Sequence, residues 1–384
     1  MKILRVIPSV NPAAGGPING LVNTTDILIS RGYQVDIAAL DEPNSSWVRD
    51  FPYPLYTFSS TLGTYSYSAS FKEWIDKNVI NYDVVIIHGL WQYHSTSASN
   101  ACVENGIPYL LFTHGMLDPW FNQGKLLKAL KKKVYWALFE GRVVNKADNV
   151  LFTSEEEKVL ARKSFFSYSP KERVVAYGSS ESNVEASLAR INFEKQFPEL
   201  SSKKFALFLS RVHEKKGIDM LIEALGALES MPDDFSLVIA GPDGNGLKAK
   251  LEKQVQRLGL KDRVVWLGML SGDVKWGAYY SSDVFVLPSH QENFGIVVAE
   301  ALSTSTPVLI TNKINIWREI EMAGAGFVEN DDVEGVGRLL KKWLSLPKSE
   351  RQVMSSKAKA CYVKNFSISS AADDLERVVL SVVE

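Results

Sequence analysis

The feature that most restricts the fold is an alternation that runs through the chain twice. In the first half, short apolar runs at 2–8, 34–40, 83–88, 108–113, 148–153 and 172–177 alternate with helical patterns at 18–31, 70–79, 94–105, 125–145 and 154–165. In the second, runs near 205–210, 235–240, 263–267, 283–287, 307–310 and 325–328 alternate with helical patterns near 217–230, 246–258, 295–303, 315–322 and 331–345. Runs of this kind suit strands buried on both faces. Their alternation with helices builds crossover units on a parallel sheet. A chain of 384 residues can enclose two such sheets, each with its own core. The stretch from Gly178 to Lys204 is mostly polar and reads as a linker region, with one helix over 185–196. The tail from Ser367 to Glu384 puts Ile368, Ala371, Leu375, Val378, Val379 and Val382 on one helical face.

Composition removes several classes. Hydrophobic residues make up 46%, which fits a folded globule rather than a disordered chain. The formal net charge of −1 argues against a general nucleic-acid binder. The two cysteines, Cys102 and Cys361, lack metal-ligand spacing and suit a reducing, cytoplasmic compartment. The first eight residues read as a strand, too short and too charged for a signal peptide. No run of about 18 apolar residues is present to span a membrane.

The chemistry concentrates between Asp283 and Leu302. An apolar run to Pro288 is followed by Ser289-His290-Gln291-Glu292, a turn at Asn293-Phe294-Gly295, and a helix from Ile296. A helix start exposes free N–H groups and a partial positive charge, a seat for phosphate at the carboxyl end of a parallel strand. Glu292 and Glu300 bracket that start. In a purely structural reading Glu292 favours the helix N-terminus and Glu300 is solvated.

The stretch resembles the Glu-x7-Glu signature of family 4 glycosyltransferases, retaining enzymes with two Rossmann-like domains in the GT-B fold. Here the signature stands as Pro288-Ser289-His290-Gln291-Glu292-Asn293-Phe294-Gly295, then Glu300-Ala301. The resemblance implies that Glu292 holds donor-sugar hydroxyls. It also implies that backbone amides of Asn293, Phe294, Gly295 and Ile296 meet the sugar and diphosphate, and that Glu300 binds the ribose. Five helical residues rise about 7–8 Å, a span that suits the two ends of a nucleotide sugar.

The same resemblance extends to other loops. Arg211 and Lys216, in Ser210-Arg-Val-His-Glu-Lys-Lys216-Gly217, match a pair of cations that clamp the diphosphate leaving group. Charge-assisted bonds of this type run to roughly 1.5–3 kcal/mol each. Met269, after Leu267-Gly268, is carried to the base pocket, and Gly15 and Gly16 to the donor phosphate. His114, in Thr113-His114-Gly115-Met116, falls beside the transferred sugar. His88 and Trp91 end the preceding strand and are read as lining the acceptor side, although each also suits a structural role. Two departures stand out. Ser210 replaces a usual glycine, and Ser305-Thr306-Pro307-Val308 with Asn312-Lys313-Ile314-Asn315 replace a glycine-containing pattern.

Lys125 to Arg142 has lysines at 125, 128, 131, 132 and 133, with Leu126, Leu127, Leu130, Val134 and Leu138 on the opposite face. Such a helix can bury its stripe on its own domain and leave a solvated basic face. Alternatively, the basic face meets anionic lipid and brings a lipid-linked acceptor to the enzyme. The surrounding run also resembles bacterial exopolysaccharide members of the family.

The expectation is therefore an α/β chain of two Rossmann-like domains facing across a cleft. Residues 1–180, closed by a C-terminal helix at about 367–384 that crosses back, would bind the acceptor. Residues 181–366 would bind the nucleotide sugar. The implied activity is metal-independent, retaining transfer of a sugar from a nucleotide-sugar donor to a hydroxyl of a glycan or lipid-linked glycan, in exopolysaccharide assembly. No Asp-x-Asp metal motif stands in a suitable place, and no cofactor is expected. A UDP-sugar is favoured over a GDP-sugar as donor, and the expected location is cytoplasmic or peripheral on the inner face of the plasma membrane. Rival readings are a sugar-nucleotide epimerase, an inverting transferase and a non-catalytic two-domain sugar-binding protein. A nicotinamide dehydrogenase would need Gly-x-Gly-x-x-Gly after a first strand, which neither half has.

Overall fold

The computed structural model describes residues 1–61, 63–122, 126–244 and 246–383. It divides into two compact units, Met1–Gly178 with Ile368–Glu384, and Ser179–Ser367. The first is built on β1 (Lys2–Ile7), β2 (Gln34–Ala39), β3 (Leu55–Thr57), β4 (Val84–His88), β5 (Tyr109–Phe112), β6 (Asn149–Phe152) and β7 (Glu172–Val174). Their order is β3-β2-β1-β4-β5-β6-β7, with parallel pairing throughout. Ile3 lies opposite both Val35 and Val84 in this register. The strand order reverses between β1 and β4, and open α/β sheets bind ligands outside the carboxyl ends of strands at such a reversal.

The second unit repeats the scheme with β8 (Lys204–Leu209), β9 (Phe235–Ala240), β10 (Val264–Gly268), β11 (Val284–Leu287), β12 (Val308–Thr311) and β13 (Gly326–Glu329). The order is β10-β9-β8-β11-β12-β13, so the reversal falls between β8 and β11. Strands β8, β9, β11 and β12 are buried almost throughout, as their unbroken apolar runs require.

Several elements escape the sequence pattern. β3 is a three-residue edge strand without an apolar run. The helix Lys348–Asn365 buries only Ala358, Cys361 and Tyr362, so it has almost no apolar stripe to read. The helix Gly272–Ser281 opens and is interrupted by glycine. Gly277 is required there, because a Cβ would collide with the carbonyl oxygen of Ala189 on the helix Ala186–Gln196. That second helix lies in the region read as a linker, yet Ala189 and Phe193 are buried and it belongs to the second unit.

The helix Ile368–Val383 closes the first unit. Leu375, Val378 and Val379 pack with Ile3, Leu28, Val35, Val84 and Ile86. Polar contacts fix its seat: Arg31 pairs with Asp373 at 2.5 Å and also with Glu376, and the Ala176 amide donates to Asp374 at 2.9 Å.

The basic segment is not one continuous α-helix over 125–145. It is a helix Leu126–Tyr135, a π-helical turn Trp136–Glu140 and a helix Gly141–Asn145, while Lys125 lies outside the described residues. Leu130, Val134, Leu138 and Phe139 are 59%, 51%, 58% and 44% exposed. Leu130, Val134 and Leu138, expected to pack on their own domain, therefore face outward. Trp136 and Glu140 are the buried anchors instead. The Trp136 indole N–H donates to the Phe166 carbonyl at 2.8 Å and its ring stacks on Phe165. Among the described residues, no helix is long and apolar enough to cross a membrane.

Candidate active site

In the second unit, the loops after β8 and β11 meet at the strand-order reversal. The β8 loop ends in a 3₁₀ turn, Glu214–Lys216, capped by the His213 ring, which accepts from the Lys215 amide at 3.1 Å. Gly217 follows with φ +66, and a Cβ there would strike the Pro288 carbonyl oxygen. The Lys215 carbonyl accepts from the His290 amide at 2.9 Å, joining the two loops. This places Lys216, itself buried, so that its ammonium pairs with the Glu292 carboxylate. Arg211, on the same loop, is exposed and has no ion pair or side-chain hydrogen bond among the described residues. Among the described residues, these loops thus present a paired lysine and an unpaired arginine beside the Glu292 carboxylate.

The Glu292 backbone is held from below. Its amide donates to the Lys313 carbonyl at 2.9 Å, and its carbonyl accepts from the Asn315 amide at 3.0 Å. The Asn315 side chain also donates to the Asn293 side chain at 3.3 Å. The segment 312–315, which departs from the family pattern, is therefore the one that braces Glu292. Phe294 is buried against Phe366, and Gly295, with φ 74, caps the helix Ile296–Ser303 without a side-chain cap. The first two amides of that helix, of Ile296 and Val297, lack intrahelical acceptors by geometry, whereas the Val298 amide already donates to the Gly295 carbonyl at 2.8 Å.

Glu300 is not solvated. Lys275 donates to one carboxylate oxygen at 2.8 Å and the Tyr279 hydroxyl to the other at 2.9 Å. Burial first, then the Glu300 charge, pushes the Tyr279 phenol well above its ordinary pKa and keeps it a donor. Met269 is exposed just after β10, where Gly268 accepts from the Gly241 amide at 2.7 Å.

In the first unit, the loop after β1 is tied by Asp41, which accepts from the Ser9 hydroxyl and the Val10 amide, each at 2.7 Å. Gly15, with φ 79 and ψ −131, opens the helix Gly16–Ser30, and the Tyr177 hydroxyl donates to the Gly16 carbonyl. His88 ends β4, and His114 follows β5 with φ 48, in the left-handed region. Glu157 holds that strained turn. One of its oxygens accepts from the Thr113 hydroxyl at 2.7 Å and the Gly115 amide at 2.6 Å; the other accepts from the Thr153 amide and hydroxyl at 2.7 Å.

His88 and His114 stack on Phe112 and bond to each other, His88 Nδ1 to His114 Nε2, at 3.1 Å. The His88 Nε2 faces the Arg5 guanidinium at 3.2 Å and 3.3 Å. Burial, reinforced by the Arg5 charge, holds His88 well below the usual histidine range and His114 down to about 3. Burial also lowers Arg5 to about 9, which leaves it charged at neutral pH.

Two of the predicted acceptor-side residues are engaged inside the unit. Both ring nitrogens of buried His88 are used, so it reaches a ligand only through His114. Trp91 donates its indole N–H to the Met116 carbonyl at 3.3 Å, packs on Phe165, and carries the Lys132 ammonium over its ring. Its amide donates to Glu140 at 3.0 Å. These contacts hold the ring, which stays half-buried.

Sequence reasoning missed Arg5, Glu157, Lys275 and Tyr279. Arg5 was visible as one charge inside an apolar strand. Glu157 stands in the acidic run Glu155-Glu156-Glu157 with no signal in the sequence that it alone is buried. Lys275 and Tyr279 sit one helical turn apart on the glycine-interrupted helix.

Residues 15–178 match the family model of a glycosyl transferase 4-like domain, and residues 190–360 match that of glycosyl transferases group 1. Together the two matches span most of both units, and the chain belongs to the glycosyltransferases of the GT-B fold. Within that class it is similar to an uncharacterized glycosyltransferase of Methanocaldococcus jannaschii, 28% identical over 69% of this chain and 68% of the relative. It is also similar to the D-inositol 3-phosphate glycosyltransferase of Salinispora tropica, 31% identical over 44% of this chain and 36% of the relative. In fold it matches the Anabaena protein HepE, solved in complex with UDP, at TM-score 0.76, with 17% identity over 99% of this chain and 100% of HepE.

Proposed function

We propose that this protein transfers a sugar, with retention at the anomeric carbon, from a nucleotide-sugar donor to a hydroxyl of a glycan or lipid-linked glycan. The observation that carries this reading is Lys216 paired to Glu292, with Arg211 exposed on the Lys216 loop, beside the start of the helix Ile296–Ser303, which has no side-chain cap. A departing nucleoside diphosphate gains charge as the glycosidic bond breaks. Cations and helix amides fixed in advance stabilise that charge without reorganising, which is worth about 10²–10³-fold in rate per contact. Glu292 then holds sugar hydroxyls, the Asn293–Ile296 amides meet sugar and diphosphate, and Glu300 takes the ribose. Gly15 and Gly16 approach the donor phosphate, Met269 borders the base, and His114 donates to a sugar hydroxyl.

In this reading the reaction uses no metal and no cofactor, because protein cations neutralise the diphosphate. Attack comes from the donor's leaving-group face, and a phosphate oxygen takes the acceptor proton. The first unit's buried Glu157 supports this route over a covalent sugar intermediate, since both its oxygens are committed to backbone and hydroxyl donors. UDP is the first diphosphate to test, being the one with which HepE was solved. Thermal-shift screening against UDP, GDP and ADP, followed by the anomeric proton couplings of the product, tests the proposal. Stabilisation by one diphosphate and a retained configuration are expected; no stabilisation, or inversion, overturns it.

The acceptor side of the proposal is a lipid-linked glycan met at the inner face of the plasma membrane, in polysaccharide assembly. Exposed Leu130, Val134, Leu138 and Phe139 share one segment with Lys131, Lys132 and Lys133. Apolar side chains enter the headgroup boundary while ammonium groups meet anionic lipid. Flotation with anionic vesicles at low salt is expected to carry the protein; a Leu130→Ser, Leu138→Ser variant should stay behind. Equal flotation of both, or of neither, removes the membrane role.

A further inference from the structure

We propose that Arg5 and His88 are positioning residues that fix the tautomer of His114, so that its Nδ1 always carries the proton. Guanidinium only donates. Arg5 Nη1 is spent on the Leu21 carbonyl at 2.9 Å and the Thr24 and Thr25 hydroxyl oxygens at 2.8 and 2.9 Å. Those hydroxyls in turn donate to the Gly20 and Leu21 carbonyls. Arg5 Nε and Nη2 are left to face His88 Nε2, at 3.3 and 3.2 Å. That nitrogen must therefore offer its lone pair, and the His88 proton sits on Nδ1. From Nδ1 it is donated to His114 Nε2 across 3.1 Å, which forces the His114 proton onto Nδ1.

The other neighbours agree with this order. His94 donates from Nε2 to the His88 carbonyl at 2.9 Å, fixing that ring's backbone without touching its nitrogens. Tyr177 meets the His114 ring edge-on and gives its hydroxyl proton to Gly16. Near-parallel stacking of His88, Phe112 and His114 prevents either imidazole from flipping independently. His114 Nδ1 makes no hydrogen bond among the described residues and is left as a neutral N–H donor. It can recognise an oxygen lone pair, as on a sugar hydroxyl, and cannot act there as a base.

The significance of this relay rests on His114 meeting the transferred sugar, but its test does not. The whole chain, labelled with ¹⁵N-histidine, has five histidines to resolve in a two-bond proton–nitrogen correlation spectrum without any substrate. His114→Gln identifies the signal. A protonated Nδ1 in the wild type and in Arg5→Lys, which keeps a donor, supports the relay, as does a mixed tautomer in Arg5→Met. His88→Phe keeps the stack and gives the same mixed state if Arg5→Met does not fold. A protonated Nε2 in the wild type, or an unchanged tautomer in folded Arg5→Met or His88→Phe, overturns it. Such a result would leave the transferase reading intact, since that turns on diphosphate binding and product configuration.

Discussion

The Lys216 ammonium is ion-paired with the Glu292 carboxylate, although the two residues lie on different loops of the second unit, 76 positions apart. The pair joins the group assigned to the leaving diphosphate to the group assigned to the sugar. Each holds the other in place before any ligand arrives.

Glu292→Ala is expected to slow transfer by about 10²–10³-fold while leaving free UDP binding near the wild-type value, because Lys216 and Arg211 remain. Titration calorimetry with UDP separates the two effects. A parallel collapse of UDP affinity would contradict the assignment.

Glu300→Ala acts on the other end. Removing the carboxylate proposed to take the ribose should weaken UDP roughly 10- to 100-fold. Tyr279→Phe keeps the carboxylate and loses one of its two donors, so its affinity loss should be smaller. Comparable losses in the two variants would place Glu300 in a purely structural role.

Glu157→Gln leaves a buried amide where a carboxylate took four donors. The expected cost is about 1–3 kcal/mol, seen as earlier denaturant unfolding of the first unit. Because the same oxygens hold Thr113 and Gly115, transfer should fall as well while UDP binding is kept.

Stability should depend on pH from both sides. His88 and His114 are held below their unfolded values, so the unfolded chain binds more protons once the pH drops under about 6.5, and stability falls from there toward 3. Glu140 is raised by burial to about 7, from 4.5. It favours the fold fully below its unfolded value, and that contribution is lost as the pH climbs through 7. Glu140→Gln should therefore gain stability relative to wild type between pH 5 and pH 8, read as the difference in melting temperature. A constant difference would show that Glu140 does not titrate there.

Both sheets were legible because a parallel strand buried on two faces is apolar along its length, as in Val84–Ile87 and Val284–Leu287. So was the closing helix, through the spacing of Leu375, Val378 and Val379. The elements that escaped are held by other forces. Lys348–Asn365 is a mostly polar helix, and Gly272–Ser281 depends on close backbone approach at Gly277 rather than on an apolar stripe. Among site residues, Arg211, Lys216, Glu292 and Glu300 stood out because their spacing matched a known pattern. Glu157, Lys275 and Tyr279 act through contacts between elements far apart in the chain, which spacing does not reveal. The exposed stripe at Leu130 to Leu138 had the right period and the wrong direction, because periodicity defines a face without saying what covers it.

The helix Ile368–Val383 gives the first unit an unusual history. A ribosome makes every residue of the second unit before it makes the segment that covers Ile3, Val35 and Val84. The later-encoded unit can therefore finish folding first, while the earlier one waits with an apolar face open to chaperones.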